Sequence, residues 1–239
     1  MLKLGTWLFV RESRALGQHA AIVLMDLLTI VTVMTLLCIA LPLALGRVVP
    51  RRADTALLAY FAAIGAGFML IEISMLQRLI IFLGHPVYSL SVILFVLLAA
   101  SGLGSYLSVR VRDPRPLLLA LVAVLAAAGI ASGVLVTALQ AAETPMRIAA
   151  AGGLLALMGV FMGMAFPLGM RLAAASRPQL TPMLWGVNGA LSVLASVLAI
   201  VIAIAFGISA SYWTGVASYA FAAAALVVAS RRPVSDNLD

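Results

Sequence analysis

Four side chains able to do chemistry fall within one short stretch, FMLIEISMLQRLIIFLGHPVYSL at residues 68–90: Glu72, Gln77, Arg78 and His85. The first half of that stretch is apolar enough to be a membrane helix, and a charge in lipid is costly. An intramembrane carboxylate such as Glu72 points to a cation site or a proton relay. The other reading is a protonated or hydrogen-bonded glutamate that ties helices together. With no second buried acid at its depth, the structural reading of Glu72 is preferred. A helix advances about 100° per residue, so Glu72, Gln77 and Arg78 form no single stripe. Glu72 and Arg78 also lack the i,i+3 or i,i+4 spacing of an intrahelical pair. Arg78 and Asp26 each lie about five residues from the outer ends of their spans, roughly 7–8 Å deep. An Asp26–Arg78 contact between neighbouring helices is therefore expected, against a guanidinium that snorkels to the headgroups. His85 sits in a Gly84-His85-Pro86 corner. Pro86 disfavours helix for the residue before it, and one histidine falls short of the three or four ligands zinc requires. No metal and no cofactor are expected.

A second polar set lies near the opposite membrane face. Arg171 follows Pro167 in GVFMGMAFPLGMRL at 159–172, and Trp185 and Asn188 lie in TPMLWGVNGALSVLASVLA at 181–199. Trp185 suits an interface. Asn188, Ser192 and Ser196 recur at i, i+4 and i+8, a row that lines a polar path or bonds a neighbouring helix. Gly159 and Gly163 have the small-xxx-small spacing of close helix approach, as do Gly129 and Gly133. Gly102 and Gly104 add further close-packing positions, and Pro167 should kink its helix.

The elements that position these residues follow from composition. The 239 residues are 64% hydrophobic and 10% charged, with mean hydropathy +1.19, far from a soluble domain. Seven apolar runs, at roughly 21–45, 56–83, 87–108, 116–138, 147–173, 183–207 and 210–229, are each long enough to span a bilayer. They lack the alternation of barrel strands. The expected fold is an all-α polytopic bundle over 20–230. An interfacial segment at 1–19 precedes it, rather than a signal peptide, and a disordered polar tail at 231–239 follows. FGIS at 206–209 is the least marked boundary. The net charge of +7 sits in short arginine clusters between runs, a topology signal. The bilayer, not nucleic acid, is the expected partner. Cys38 is the single cysteine and can form no internal disulfide. Arginine placement puts the N-terminus outside and the C-terminus in the cytoplasm of a bacterial inner membrane.

Three stretches carry a resemblance: GFMLIEISMLQRLIIFLGHPVYSLSVILFVLLAASGLGSYLS at 67–108, FMGMAFPLGMRL at 161–172 and LWGVNGALSVLASVLAIVIAIAFGIS at 184–209. Together they resemble the C-terminal membrane region of bacterial multi-pass proteins of the spermidine-synthase-like family. In that family an aminopropyltransferase or methyltransferase-like Rossmann domain is fused to membrane helices. The match falls on Glu72, Gln77, Arg78, Gly84, His85, Pro86, Pro167, Gly169, Arg171, Trp185, Gly186, Asn188 and Gly189. The resemblance implies a membrane module that anchors or partners a soluble Rossmann-type chain or a larger complex. The residues of aminopropyl transfer have no counterpart here, so that activity is not carried over. No pair of groups suited to general acid–base work is visible in the sequence, and the chain alone is not expected to be an enzyme. Two other readings stand beside this one. One is a small-solute or polyamine transporter with Glu72 facing a cation. The other is a lipid-modifying transferase, which requires Glu72, Arg78 and His85 to converge.

Overall fold

The computed structural model describes His19, residues 22–40 and residues 54–231. Of these, 93% are helical and none is in a strand, in agreement with the all-α expectation. Seven helices are long and apolar enough to cross a membrane. They are α1 (Ile22–Ala40), α2 (Thr55–Leu83), α3 (Pro86–Ser108), α4 (Pro114–Ala138), α5 (Thr144–Ser176), α6 (Thr181–Phe206) and α7 (Ile208–Arg231). A 3₁₀ turn at Pro178–Leu180 links α5 to α6. The interfacial segment apart from His19, the stretch 41–53 and the polar tail from 232 lie outside the described residues.

Local chemistry sets the ends of the helices. Proline occupies the first or second position of α3, α4, α5 and α6, where its missing N–H costs nothing and its fixed φ suits the first turn. Asp113 caps α4 by accepting from the Arg115 backbone N–H at 3.0 Å. Gly84 ends α2 in the left-handed conformation, φ 74°, donating its N–H to the Ile80 carbonyl at 3.1 Å. His85 is extended before Pro86, as the proline requires. Gly207, φ 93°, breaks α6 from α7 within the least marked of the predicted boundaries. Helices run past the apolar windows in places: α5 starts at Thr144 and reaches Ser176, three residues beyond the predicted run at each end. Hydropathy marks what lies in lipid, whereas backbone hydrogen bonding marks the helix. Helix α5 continues through Pro167.

The most buried span is α2, with 56% of its apolar stretch buried. It packs on α3, α5, α6 and α7. Glycines allow the closest approaches. A Cβ at Gly104 would overlap the Val160 carbonyl, one at Gly163 would overlap the Ser101 backbone, and one at Gly159 would come within 2.8 Å of the Ala100 Cβ. The small-xxx-small pair thus seats α5 on α3. Gly129 faces the Tyr212 ring, whereas Gly102 and Gly133 face open space. Between these contacts lies a core containing Tyr60, Phe61, Leu125, Leu155, Met158 and Tyr212, all fully buried. The first span is the least integrated, with 6% of its window buried. It touches α6 through the Thr35 hydroxyl, which donates to the Ala190 carbonyl at 3.2 Å.

Candidate functional site

Arg78 lies one and a half turns before the end of α2 and reaches across to α4 and α7. Its guanidinium donates to the Ser132 hydroxyl, to the Gly129 carbonyl at 3.5 Å and to the Ser209 hydroxyl at 3.1 Å. It also stands over the Tyr212 ring, 5.0 Å from the centroid. Ser132 in turn donates to the Gly129 carbonyl at 2.8 Å, and the Tyr212 hydroxyl donates to the Leu125 carbonyl at 2.7 Å. One cation therefore fastens three helices through neutral groups. The expected Asp26–Arg78 contact does not form. Asp26 is exposed on α1, and the Arg78 guanidinium is taken up by the serine hydroxyls and the Gly129 carbonyl instead. Equal depth was a sound inference from sequence, but depth does not say which helices are neighbours.

The other residues of the opening stretch have separate surroundings. His85 is exposed at its turn, edge-on to Tyr88 at 5.4 Å, beside a surface groove of about 690 Å³ shared with Thr144 and Pro145. Gln77 Oε1 is buried without a hydrogen-bond partner. Glu72 is half-buried and forms no hydrogen bond or ion pair among the described residues. Arg78 is engaged by α4 and α7 while His85 faces outward, so Glu72, Arg78 and His85 do not assemble one reaction site. The transferase reading fails on its own condition. Among the described residues, no three His, Cys, Asp or Glu side chains gather closely enough to hold a metal.

The second polar set also separates. Arg171 donates to the carbonyls of Ser108 at 2.8 Å, Val111 at 3.1 Å and Val109 at 3.3 Å. A cation at those orphan carbonyls complements the C-terminal end of α3. Trp185 is exposed and packs edge-on against Phe166 at 4.6 Å. The Asn188 amide nitrogen donates to the Phe61 carbonyl at 3.0 Å, and Ser192 donates back to the Asn188 carbonyl at 2.8 Å. The row of Asn188, Ser192 and Ser196 thus splits. Asn188 bonds a neighbouring helix, Ser196 bonds its own helix at Val193, and Asn188 and Ser192 also border a half-open cavity.

That cavity, of about 120 Å³, lies between α2, α5, α6 and α7. Its walls include Gly65, Phe68, Met162, Asn188, Ser192 and Tyr219. Glu72 is four residues beyond Phe68 on the same face of α2, one turn farther along. Sequence reasoning missed Tyr219, because an aromatic within an apolar run reads as packing. It also missed an ion pair between a buried Asp54 and a partly exposed Arg177, at 3.2 Å. Both of those residues stand in polar punctuation on the same predicted face, which was the available signal.

In comparisons with family models, curated proteins and solved structures, nothing matches this chain. Fold and composition define its class: a multi-pass helical membrane protein.

Proposed function

We propose that this chain is a bacterial inner-membrane module, non-catalytic by itself, that anchors or partners a soluble Rossmann-type chain or a larger complex, like the membrane half of spermidine-synthase-like proteins. The supporting observation is how the intramembrane polar side chains are used. Arg78, Arg171, Asn188, Tyr60 and Tyr212 each bind a backbone or hydroxyl group of a neighbouring helix. Groups engaged in this way hold a scaffold and leave little for a reaction. The resemblance along 67–108, 161–172 and 184–209 supplies the partner class. The loosely held α1 leaves a helix surface free for assembly. Purification in mild detergent followed by mass spectrometry tests the reading. A stoichiometric soluble protein is expected, and a chain that emerges alone and monodisperse overturns it.

A second reading, a transporter of small solutes or cations, is favoured by a different observation. Glu72 is a half-buried carboxylate without a bonding partner, close to a polar cavity. Uptake into proteoliposomes, compared with that of Glu72→Gln, tests it, and equal uptake by both proteins overturns it.

A further inference from the structure

We propose that the groove between α4 and α7 binds one anionic glycerophospholipid, with an acyl chain lying along the groove and the phosphate on Arg115. This site depends on neither reading above.

The groove is lined by Arg115, Leu119 and Ala126 on α4 and by Ala220, Ala224 and Val227 on α7, among others. Arg78 joins the far part of α4 to the beginning of α7, through Gly129 and Ser209. The two helices therefore run in opposite directions, and the start of α4 lies beside the end of α7. Arg115 and Val227 stand at one end of the groove, Ala126 and Ala220 at the other. Alanine side chains stop at Cβ, which leaves a trough between the longer side chains. Leu119 is 68% exposed, and Ala220 and Ala224 are exposed as well, so the trough opens away from the bundle, toward lipid. From Arg115 to Ala126 it runs about 16 Å at 1.5 Å per residue. That matches the ~15 Å of hydrocarbon in one leaflet.

Charge at one end selects the headgroup. Helix α4 has 25 residues, about 37 Å of helix against a hydrocarbon core of about 30 Å. Its first turn therefore stands at headgroup level. Arg115 is exposed there and rims the groove. Arg110, Arg112 and Asp113 precede it in the same turn. The Asp113 carboxylate accepts from the Arg115 backbone N–H at 3.0 Å, and three cations against one acid leave this end positive. Arg115 makes a further contact, and the five donors of a guanidinium fork suit it to hold a phosphate as well. Basic groups beside a groove between membrane helices are the arrangement that holds anionic headgroups. A second copy of the chain fits less well. Docked in the same orientation it would bring its own arginine-rich turn to the same level, where like charges oppose pairing. A phospholipid supplies both the anion and the apolar chain.

The test is a thermal-shift titration of the intact protein in detergent with dioleoyl phosphatidylglycerol. Dioleoyl phosphatidylcholine and glycerol 3-phosphate serve as controls, the first with the chains but no net charge, the second with the phosphate but no chains. A saturable rise in Tm is expected with phosphatidylglycerol, a weaker one with phosphatidylcholine and none with glycerol 3-phosphate. Arg115→Gln should weaken the apparent affinity for phosphatidylglycerol about tenfold, the loss of roughly 1.4 kcal/mol. Arg112→Gln, in the same turn but outside the groove, should stay within about twofold of the wild type. Ala224→Leu fills the trough at an exposed position and should remove the response to both lipids, which keeps the test open if Arg115→Gln fails to fold. Equal responses to the two lipids overturn the proposal, as does a response to glycerol 3-phosphate. It is also overturned if Arg112→Gln weakens binding as much as Arg115→Gln, or if Ala224→Leu binds like the wild type. A dimer in detergent that Ala224→Leu abolishes would give the groove to a second copy instead.

Discussion

Asp54 and Arg177 meet at 3.2 Å, joining the start of α2 to the residue just past the end of α5. Asp54 is 2% exposed, so its carboxylate depends on protein partners for solvation. Removing one member of such a pair is costly because the other charge stays buried. Arg177 is partly exposed and Asp54 has a further partner, so Arg177→Gln is expected to destabilise the protein by about 1–2 kcal/mol, below the cost of breaking a fully buried pair. A double-mutant cycle with Asp54→Asn should show coupling of about 1–3 kcal/mol. Reversible unfolding in detergent reads both, and additive single effects would mean that the pair contributes nothing.

The α3–α5 seam makes a sharper prediction, because its glycines can be compared with glycines that face open space. Gly163→Ala and Gly104→Ala would drive a methyl into the backbone at Ser101 and Val160. Backbone gives way less readily than side chains, and overpacking typically costs about 1–3 kcal/mol. Gly102→Ala and Gly133→Ala meet nothing within 4 Å and should be neutral or slightly stabilising, by up to about 1 kcal/mol. Midpoints measured on all four variants check this. If the two pairs behaved alike, close approach would not hold α3 to α5.

Much of the fold was legible in the sequence because its causes are local. Seven apolar runs gave the spans, and Gly84-His85-Pro86 gave the α2–α3 turn through the restrictions that glycine relieves and proline imposes. Gly163 and Gly159 were legible as a seam because small residues four apart share a helix face. The partners of Arg78 were not, because Ser132 and Ser209 carry no pattern that separates them from other serines. Asp26 had the right depth and charge but sits on a helix whose described polar contact is with α6. Helix order around a bundle depends on summed packing over whole helices, which no short motif encodes. Tyr219 was hidden for another reason: nothing in its apolar run marks the cavity that it borders.

The Arg78 clasp predicts a ranking of variants that differs from the one depth alone would give. Ser132→Ala removes a hydroxyl that accepts from the guanidinium, and hydrogen bonds to charged groups contribute about 1.5–3 kcal/mol. A loss near the lower end is expected, because Ser209 and the Tyr212 ring remain. Arg78→Lys should also destabilise, since a point charge cannot replace the planar fork that reaches two helices. Asp26→Asn should change the midpoint by less than about 0.5 kcal/mol. An effect of Asp26→Asn equal to that of Ser132→Ala would restore the ion pair suggested by depth.

Orientation can be tested apart from any function. Arg110, Arg112, Arg115, Arg171 and Arg177 gather where α3 and α5 end and α4 begins. At the opposite end of the bundle the described arginines are Arg78 and Arg147. Both are engaged, Arg78 with Ser209 and Arg147 over the Phe82 ring at 4.8 Å. Basic residues close to span ends are retained on the cytoplasmic side, so the arginine-rich end should face the cytoplasm and the His85 turn should face outward. With Cys38 replaced by serine, a cysteine at His85 should react with a membrane-impermeant maleimide in intact cells. A cysteine at Arg112 should react only after permeabilisation. His85 and Arg112 are both suitable positions, the first exposed and the second in an exposed turn. The reverse labelling pattern would turn the bundle over. It would also place any soluble partner of the arginine-rich end outside the cytoplasm.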